Sequence, residues 1–210
     1  MTSLIPPYRD IDWDDPLEQT AAAAAITTRG ILRVELWLRA NASVTPLTLT
    51  LVTGIHRTMF EGLFPDFAGR LRGPAPCYVP SDVEFGNYHG VRHLEVPAAC
   101  EMLFRDIGRL VDQLDAMRAI LDADECSWEA LKVAAYLHCE IVRSHPFVNG
   151  NGRTARVCLN YFAWRYGMAP VAITRPKGEY LEANVTWLQL RVIEHMVDFL
   201  APLWQRRSGA

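Results

Sequence analysis

The 210-residue sequence has no two cysteines at Cys-x-x-Cys spacing, and its five, Cys77, Cys100, Cys126, Cys139 and Cys158, are odd in number. That argues against a disulfide framework and against a zinc ribbon. It has no apolar run close to the ~20 residues that span a bilayer. It has no basic excess: 21 Lys and Arg stand against 24 Asp and Glu, a net charge of −3. A nucleic-acid or membrane-surface binder would usually carry one, so neither partner is expected. Met1-Thr2-Ser3-Leu4-Ile5-Pro6-Pro7 lacks the basic region and apolar run of a signal peptide, which makes the cytoplasm the expected location. Internal repeats and low-complexity linkers are also missing. What remains is ordinary: 50% hydrophobic and 21% charged residues, the balance of one folded soluble domain. At this length folding buries roughly 70% of the unfolded chain's surface, so no covalent staple is needed.

Residues 1–14, polar and proline-bearing, read as an extended arm, and residues 15–210 as a single domain. Asp15-Pro16-Leu17-Glu18 carries a helix start: a capping acid, proline at the first helical position and a capping-box glutamate. That helix is expected to reach about Ala40, with Gly30 as a place to bend. Thr45-Pro46 opens a second helix to about Leu63. Pro65 to Pro74 reads as loop. Cys77-Tyr78-Val79-Pro80 and Val83-Glu84-Phe85, separated by Ser81-Asp82, predict one small β-hairpin. Pro97 opens a third helix to about Ala123, with Met102, Ile107, Leu110, Leu114, Met117 and Leu121 at helical spacing. Ser127 is the expected cap of a fourth helix through Val142. Gly152 opens a fifth that Gly167 ends. Glu179 to about Trp204 forms the last, with room for a break. The fold class is all-α with one hairpin. Cys139 and Cys158 read as small core residues. His89 and His93 are four apart, but Gly86 and Gly90 take them out of a helix, and they read as surface histidines.

One stretch carries chemistry: His145-Pro146-Phe147-Val148-Asn149-Gly150-Asn151-Gly152-Arg153-Thr154-Ala155-Arg156. Pro146 disfavours helical geometry at His145, so the preceding helix ends there. Gly150 and Gly152 permit a turn, and a helix resumes at about Gly152. A glycine-rich turn entering a helix N-terminus aims N–H groups and the positive end of the helix dipole at one spot. Arg153 and Arg156, three apart, share a helix face. Two guanidinium groups there are unfavourable unless an anion lies between them, and their planar forks match phosphate oxygens. His145 stands at the mouth of this anion site. A base beside a phosphate cradle suggests phosphoryl or nucleotidyl transfer to a hydroxyl.

These residues resemble the signature of Fic domains, His-x-Phe-x-Asp/Glu-Gly-Asn-Gly-Arg-x-x-Arg, at every fixed position except 149. Ile55-His56-Arg57-Thr58-Met59-Phe60 and Phe67-Ala68-Gly69-Arg70-Leu71-Arg72 are similar to the family's helix and its aromatic-Ala-Gly-x-x-Arg turn. The hairpin lies where the family has its target-positioning flap. The resemblance covers roughly residues 45–204 and implies the Fic helical bundle. It implies transfer of AMP from ATP to a Ser, Thr or Tyr hydroxyl of a target protein. His145 would be the general base and Phe147 a buried anchor. Gly150, Asn151 and Gly152 would bind the α- and β-phosphates, Arg153 the β-phosphate and Arg156 the terminal one. Tyr180 is either near the nucleobase or a half-buried aromatic on a helix. Gly152 and Arg153 match the AMP-transferring type rather than the phosphate-transferring death-on-curing variant.

Asn149 is the departure. The family's acidic residue there binds Mg²⁺, and an uncharged amide oxygen would hold the metal more weakly. Slow catalysis, another donor or no metal, and a catalytically silent module that binds a nucleotide or a partner all stay open. So does UTP or another diphosphate donor in place of ATP. The family's inhibitory motif, Ser/Thr-x-x-x-Glu-Gly/Asn, is absent: the one Glu before Gly or Asn is Glu61, and Arg57 stands four residues ahead of it. Inhibition is then expected from a separate antitoxin-like protein, or not at all.

Overall fold

The computed structural model describes residues 20–85, 87–173 and 178–206. The expected arm and the start signal at Asp15-Pro16 lie outside them. The first described helix, α1 (Ala21–Asn41), is capped by Thr20, whose hydroxyl accepts from the Ala23 N–H at 3.1 Å. It runs unbroken through Gly30. That glycine serves packing rather than bending: a Cβ there would lie 2.6 Å from the Met59 Cα. Only glycine lets α1 approach the backbone of α2 (Leu49–Phe60) so closely. Thr48, not Thr45, caps α2, accepting from the Leu51 N–H at 3.2 Å. The Thr45 carbonyl is instead taken by the Tyr161 hydroxyl at 2.7 Å.

The third helix, α3 (Val96–Met117), has the predicted proline in its first turn but stops short of Ala123. The reason is the next cap. Asp122 accepts from the Asp124 and Glu125 N–H groups, and Glu125 reaches back to the Asp122 N–H, a full capping box that opens α4 (Ala123–Ser144). Ser127, the expected cap, sits inside the helix with its hydroxyl on the Asp124 carbonyl. The fifth helix, α5, is Asn151–Arg165. The last expected helix does break: α6 (Glu179–Leu190) ends at Arg191 in the left-handed region (φ 58°), and α7 (Glu194–Leu200) runs into a 3₁₀ turn at Ala201–Leu203.

The pair α4–α5 forms the centre, with α1 and α2 against α5, and α3, α6 and α7 against α4. Both central helices are buried nearly all round, through Leu131, Leu137, Cys139 and Ile141 on α4 and Cys158, Leu159, Tyr161 and Phe162 on α5. Cys139 and Cys158 are the small core residues expected of them, and burial pushes the Cys158 thiol up to about 12. Glu35 of α1 clamps α5, accepting from Asn160 Nδ2 at 2.6 Å and Trp164 Nε1 at 3.0 Å. None of the described helices is long and apolar enough to cross a membrane.

The hairpin exists but is displaced along the chain. Its strands are β1 (Glu84–Phe85) and β2 (Tyr88–His89), antiparallel with Glu84 opposite His89. Val79 makes only a single parallel bridge to Arg72 and is buried in the core. Ser81-Asp82 is not the turn. The Asp82 carboxylate accepts from the His93 main-chain N–H at 2.6 Å and its ring at 3.0 Å, closing the base of a longer loop. His89 lies on β2 and is largely exposed, as a surface histidine.

Candidate active site

The site forms where α4 hands over to α5. Pro146 bars helical geometry at His145, and His145 takes the left-handed conformation (φ 48°, ψ 59°) as the cap of α4. Its ring Nδ1 lies 2.6 Å from the Val142 carbonyl. A carbonyl can only accept, so Nδ1 carries the hydrogen and the neutral ring's lone pair is on Nε2. The histidine is buried, 3% exposed.

The loop that follows is closed by its own side chains. Phe147 is fully buried and stacks on the His56 ring at 3.8 Å between centroids. Asn151 spans the turn. Its Oδ1 accepts from the Phe147 N–H and its Nδ2 donates to the Phe147 carbonyl, both at 2.9 Å. The Asn151 amide therefore staples the loop, and the segment's contribution to an anion is its main-chain N–H groups at the start of α5. Gly150 is required twice: φ is +77°, and a Cβ would lie 2.5 Å from the Phe60 ring.

From neighbouring positions on α5 the two arginines reach different partners. Arg153 leans over the Phe60 ring of α2, 4.7 Å from its centre. Arg156 is buried and folds back over the first turn, where a Cβ on Gly152 would lie 3.4 Å from its Nη1. That same Nη1 is 3.5 Å from the Tyr180 hydroxyl, which is 3.0 Å from His138 Nε2. Arginine only donates, so the tyrosine hydroxyl accepts from Arg156 and donates its own hydrogen bond to His138 Nε2. Tyr180 is thus a buried support of Arg156. Burial first, and then the Arg156 charge, bring His138 down to about 3.

Asn149 turns its side chain inward. Its Oδ1 accepts from the Gly150 N–H at 2.5 Å, and its carbonyl accepts from His56 Nε2 at 2.8 Å. His56 Nδ1 in turn accepts from the Gly69 N–H at 2.9 Å, so this ring is neutral, and burial lowers it to about 3. No cluster of three or more His, Cys, Asp or Glu able to hold a metal occurs among the described residues. Mg²⁺ prefers charged oxygen. The donor set here, one neutral amide already engaged with main chain, does not fit a resident metal.

Sequence reasoning did not assign roles to His56, Phe60, Arg72 and His138. His56, Phe60 and Arg72 fall in the segments that resemble the family, but their places under the loop follow from packing alone. His138 carries no local signal.

The Fic/DOC family matches residues 46–163, more than half of the chain, and the chain belongs to that family. Protein adenylyltransferase Fic of Nematostella vectensis is 32% identical over 137 residues, 65% of this chain and 27% of the relative. Protein adenylyltransferase fic-1 of Caenorhabditis briggsae is 29% identical over 127 residues, 60% of this chain and 21% of the relative. The chain thus spans about a fifth to a quarter of the length of these relatives. Among solved structures, the BepC effector protein of Bartonella tribocorum with bound AMPPNP superposes with a TM-score of 0.65 at 17% identity, covering 89% of each chain. At that identity the likeness establishes the fold, and the architecture is the Fic fold.

Proposed function

We propose that the chain is a protein adenylyltransferase that moves AMP from ATP to a Ser, Thr or Tyr hydroxyl of a target protein. The observation that carries the reading is His145, its Nε2 lone pair set by the Nδ1–Val142 bond, at the lip of a helix N-terminus flanked by Arg153 and Arg156. The relatives named as protein adenylyltransferases and the AMPPNP in the BepC structure support it. His145 Nε2 takes the proton of the target hydroxyl as its oxygen bonds to the α-phosphorus. The bond from that phosphorus to the bridging oxygen breaks, and pyrophosphate leaves. The N–H groups of Asn151 and Gly152 hold the charge that develops, the Gly150 N–H being taken by Asn149 Oδ1, with Arg153 on the β-phosphate and Arg156 on the terminal phosphate. Tyr180 acts in this scheme by holding Arg156. Mg²⁺ arrives with ATP as part of the substrate and is weakly held, because Asn149 adds no charge. Residues 15–210 act as one Fic-type domain in a bacterial cytoplasm, restrained by a separate antitoxin-like inhibitor or by none.

The test is incubation with α-³²P-labelled ATP and Mg²⁺ or Mn²⁺ in a bacterial lysate, with His145→Ala beside the wild type. The expected result is a labelled band that depends on His145. A band that persists in the variant would remove the assigned base. A second reading, a silent module that binds nucleotide without transfer, draws on the inward turn of Asn149. It predicts ATP binding without a band, and a band once Asn149→Asp is made.

A further inference from the structure

Arg72 is a fully buried arginine that the mechanism above does not use, at 0% exposed. Its guanidinium divides its donors between two segments far apart in sequence. Towards the catalytic loop, Nε donates to the His145 carbonyl at 2.6 Å and Nη2 to the Ser144 carbonyl at 3.0 Å. Towards the hairpin, Nη2 donates to the Val91 carbonyl at 2.7 Å and Nη1 to the Ser81 carbonyl at 3.1 Å. The Asp82 carboxylate lies 3.8 Å from Nη1. The Arg72 main-chain N–H adds a bond to the Pro146 carbonyl at 2.8 Å.

Ser81 and Val91 are the two stems from which β1 and β2 project, and one planar cation ties both to the residue that bears the base. His145 has a left-handed backbone, which a residue with a side chain disfavours, so its conformation depends on partners such as these. The returning stem also passes His145 without room for a side chain: a Cβ on Gly90 would lie 2.8 Å from Arg72 Nη2 and 2.9 Å from His145 Cβ. A lysine would keep the charge but not the fork, and could not hold four carbonyls in these directions.

We propose that Arg72 is a positioning residue that couples the hairpin to His145, so that the orientation of the base and the seat of the hairpin are set together. The coupling bears on catalysis through the reading of His145 as the base. The test uses the whole chain with ¹⁵N-labelled histidine rings, the His145 signals being assigned by their loss in His145→Ala. The wild type shows the single Nδ1–H tautomer. Arg72→Lys is expected to show a mixture of tautomers at His145. Labelling in the lysate assay should fall at least about tenfold, because a displaced base loses its orientation. ATP affinity by calorimetry should stay within about threefold, because the loop carbonyls that Arg72 holds belong to Ser144, His145 and Pro146, ahead of the phosphate-binding groups.

Gly90→Ala approaches the same junction from the hairpin side with Arg72 in place, and carries the test should Arg72→Lys not fold. It too is expected to disturb the His145 signals. An unaltered His145 spectrum in either folded variant overturns the coupling. A loss of ATP affinity as large as the loss of labelling also overturns it, because Arg72 would then be general scaffold. A wild type that neither binds ATP nor labels any protein overturns the adenylyl-transfer reading instead, and the spectral test of coupling still stands.

Discussion

The loop between α4 and α5 and the hairpin before α3 are both short, irregular connections, and Arg72 touches both, yet they are held by opposite means. In the loop, Phe147, Asn149 and Asn151 are buried, and the main-chain groups they meet are partnered by side chains from α2 and from the loop itself. In the hairpin, two-residue strands carry an exposed Glu84–His89 contact at 3.3 Å, with ties from Asp82 and Arg72 at the base and from Gln189, whose Nε2 donates to the Tyr88 hydroxyl at 2.8 Å. Preorganised chemistry needs the first kind of construction, because catalytic donors must stay within fractions of an ångström of their places. A surface that accepts varied polypeptides tolerates the second.

Five measurements sharpen or break this contrast. The largest effect belongs to His145→Ala: labelling of a target is expected to fall by about 10²–10⁴-fold, with an unchanged circular dichroism spectrum. Next is acid. His56 and His138 are lowered from the ordinary 6.5 to about 3 by burial. The unfolded chain therefore binds protons there that the folded chain refuses. Stability is fully present above pH 6.5 and drops continuously as pH falls from 6.5 towards about 3. Urea titrations across that window should show the slope, and His138→Leu should remove one proton from it. Asn151→Ala comes third. It leaves the buried Phe147 N–H and carbonyl unpartnered and should cost about 2–4 kcal/mol by urea denaturation. Arg156→Ala, fourth, should weaken ATP binding by about 1.5–3 kcal/mol, read by calorimetry, as the loss of a charge-assisted contact. The smallest is Glu84→Ala in the hairpin, expected to change stability by less than about 0.5 kcal/mol. A hairpin change as costly as Asn151→Ala would erase the contrast.

The loop was legible in the sequence because its constraints are local. Pro146 ends α4, Gly150 takes the positive φ, and the arginines follow at helical spacing, all within one short run of chain. The hairpin was not, because its position depends on partners far away. Val79 is drawn into the core beside Leu71, and Asp82 is claimed by His93, so the pairing slides towards Glu84–His89. Helix starts failed in the same way where a nearby residue capped better, as Asp122 does over Ser127.

By itself the sequence determined the helical class, the core thiols and the run of base, glycines and arginines, since periodicity and backbone restriction act over a few residues. The tertiary structure alone decided that Gly30 joins two helices rather than bending one. It also decided that Tyr180 and His138 stand behind Arg156, and that Asn149 faces its own main chain. It placed a buried arginine between the hairpin and the base. Those arrangements rest on desolvation and on hydrogen bonds between residues far apart in the chain, and no local pattern encodes which distant carbonyl a buried donor will find.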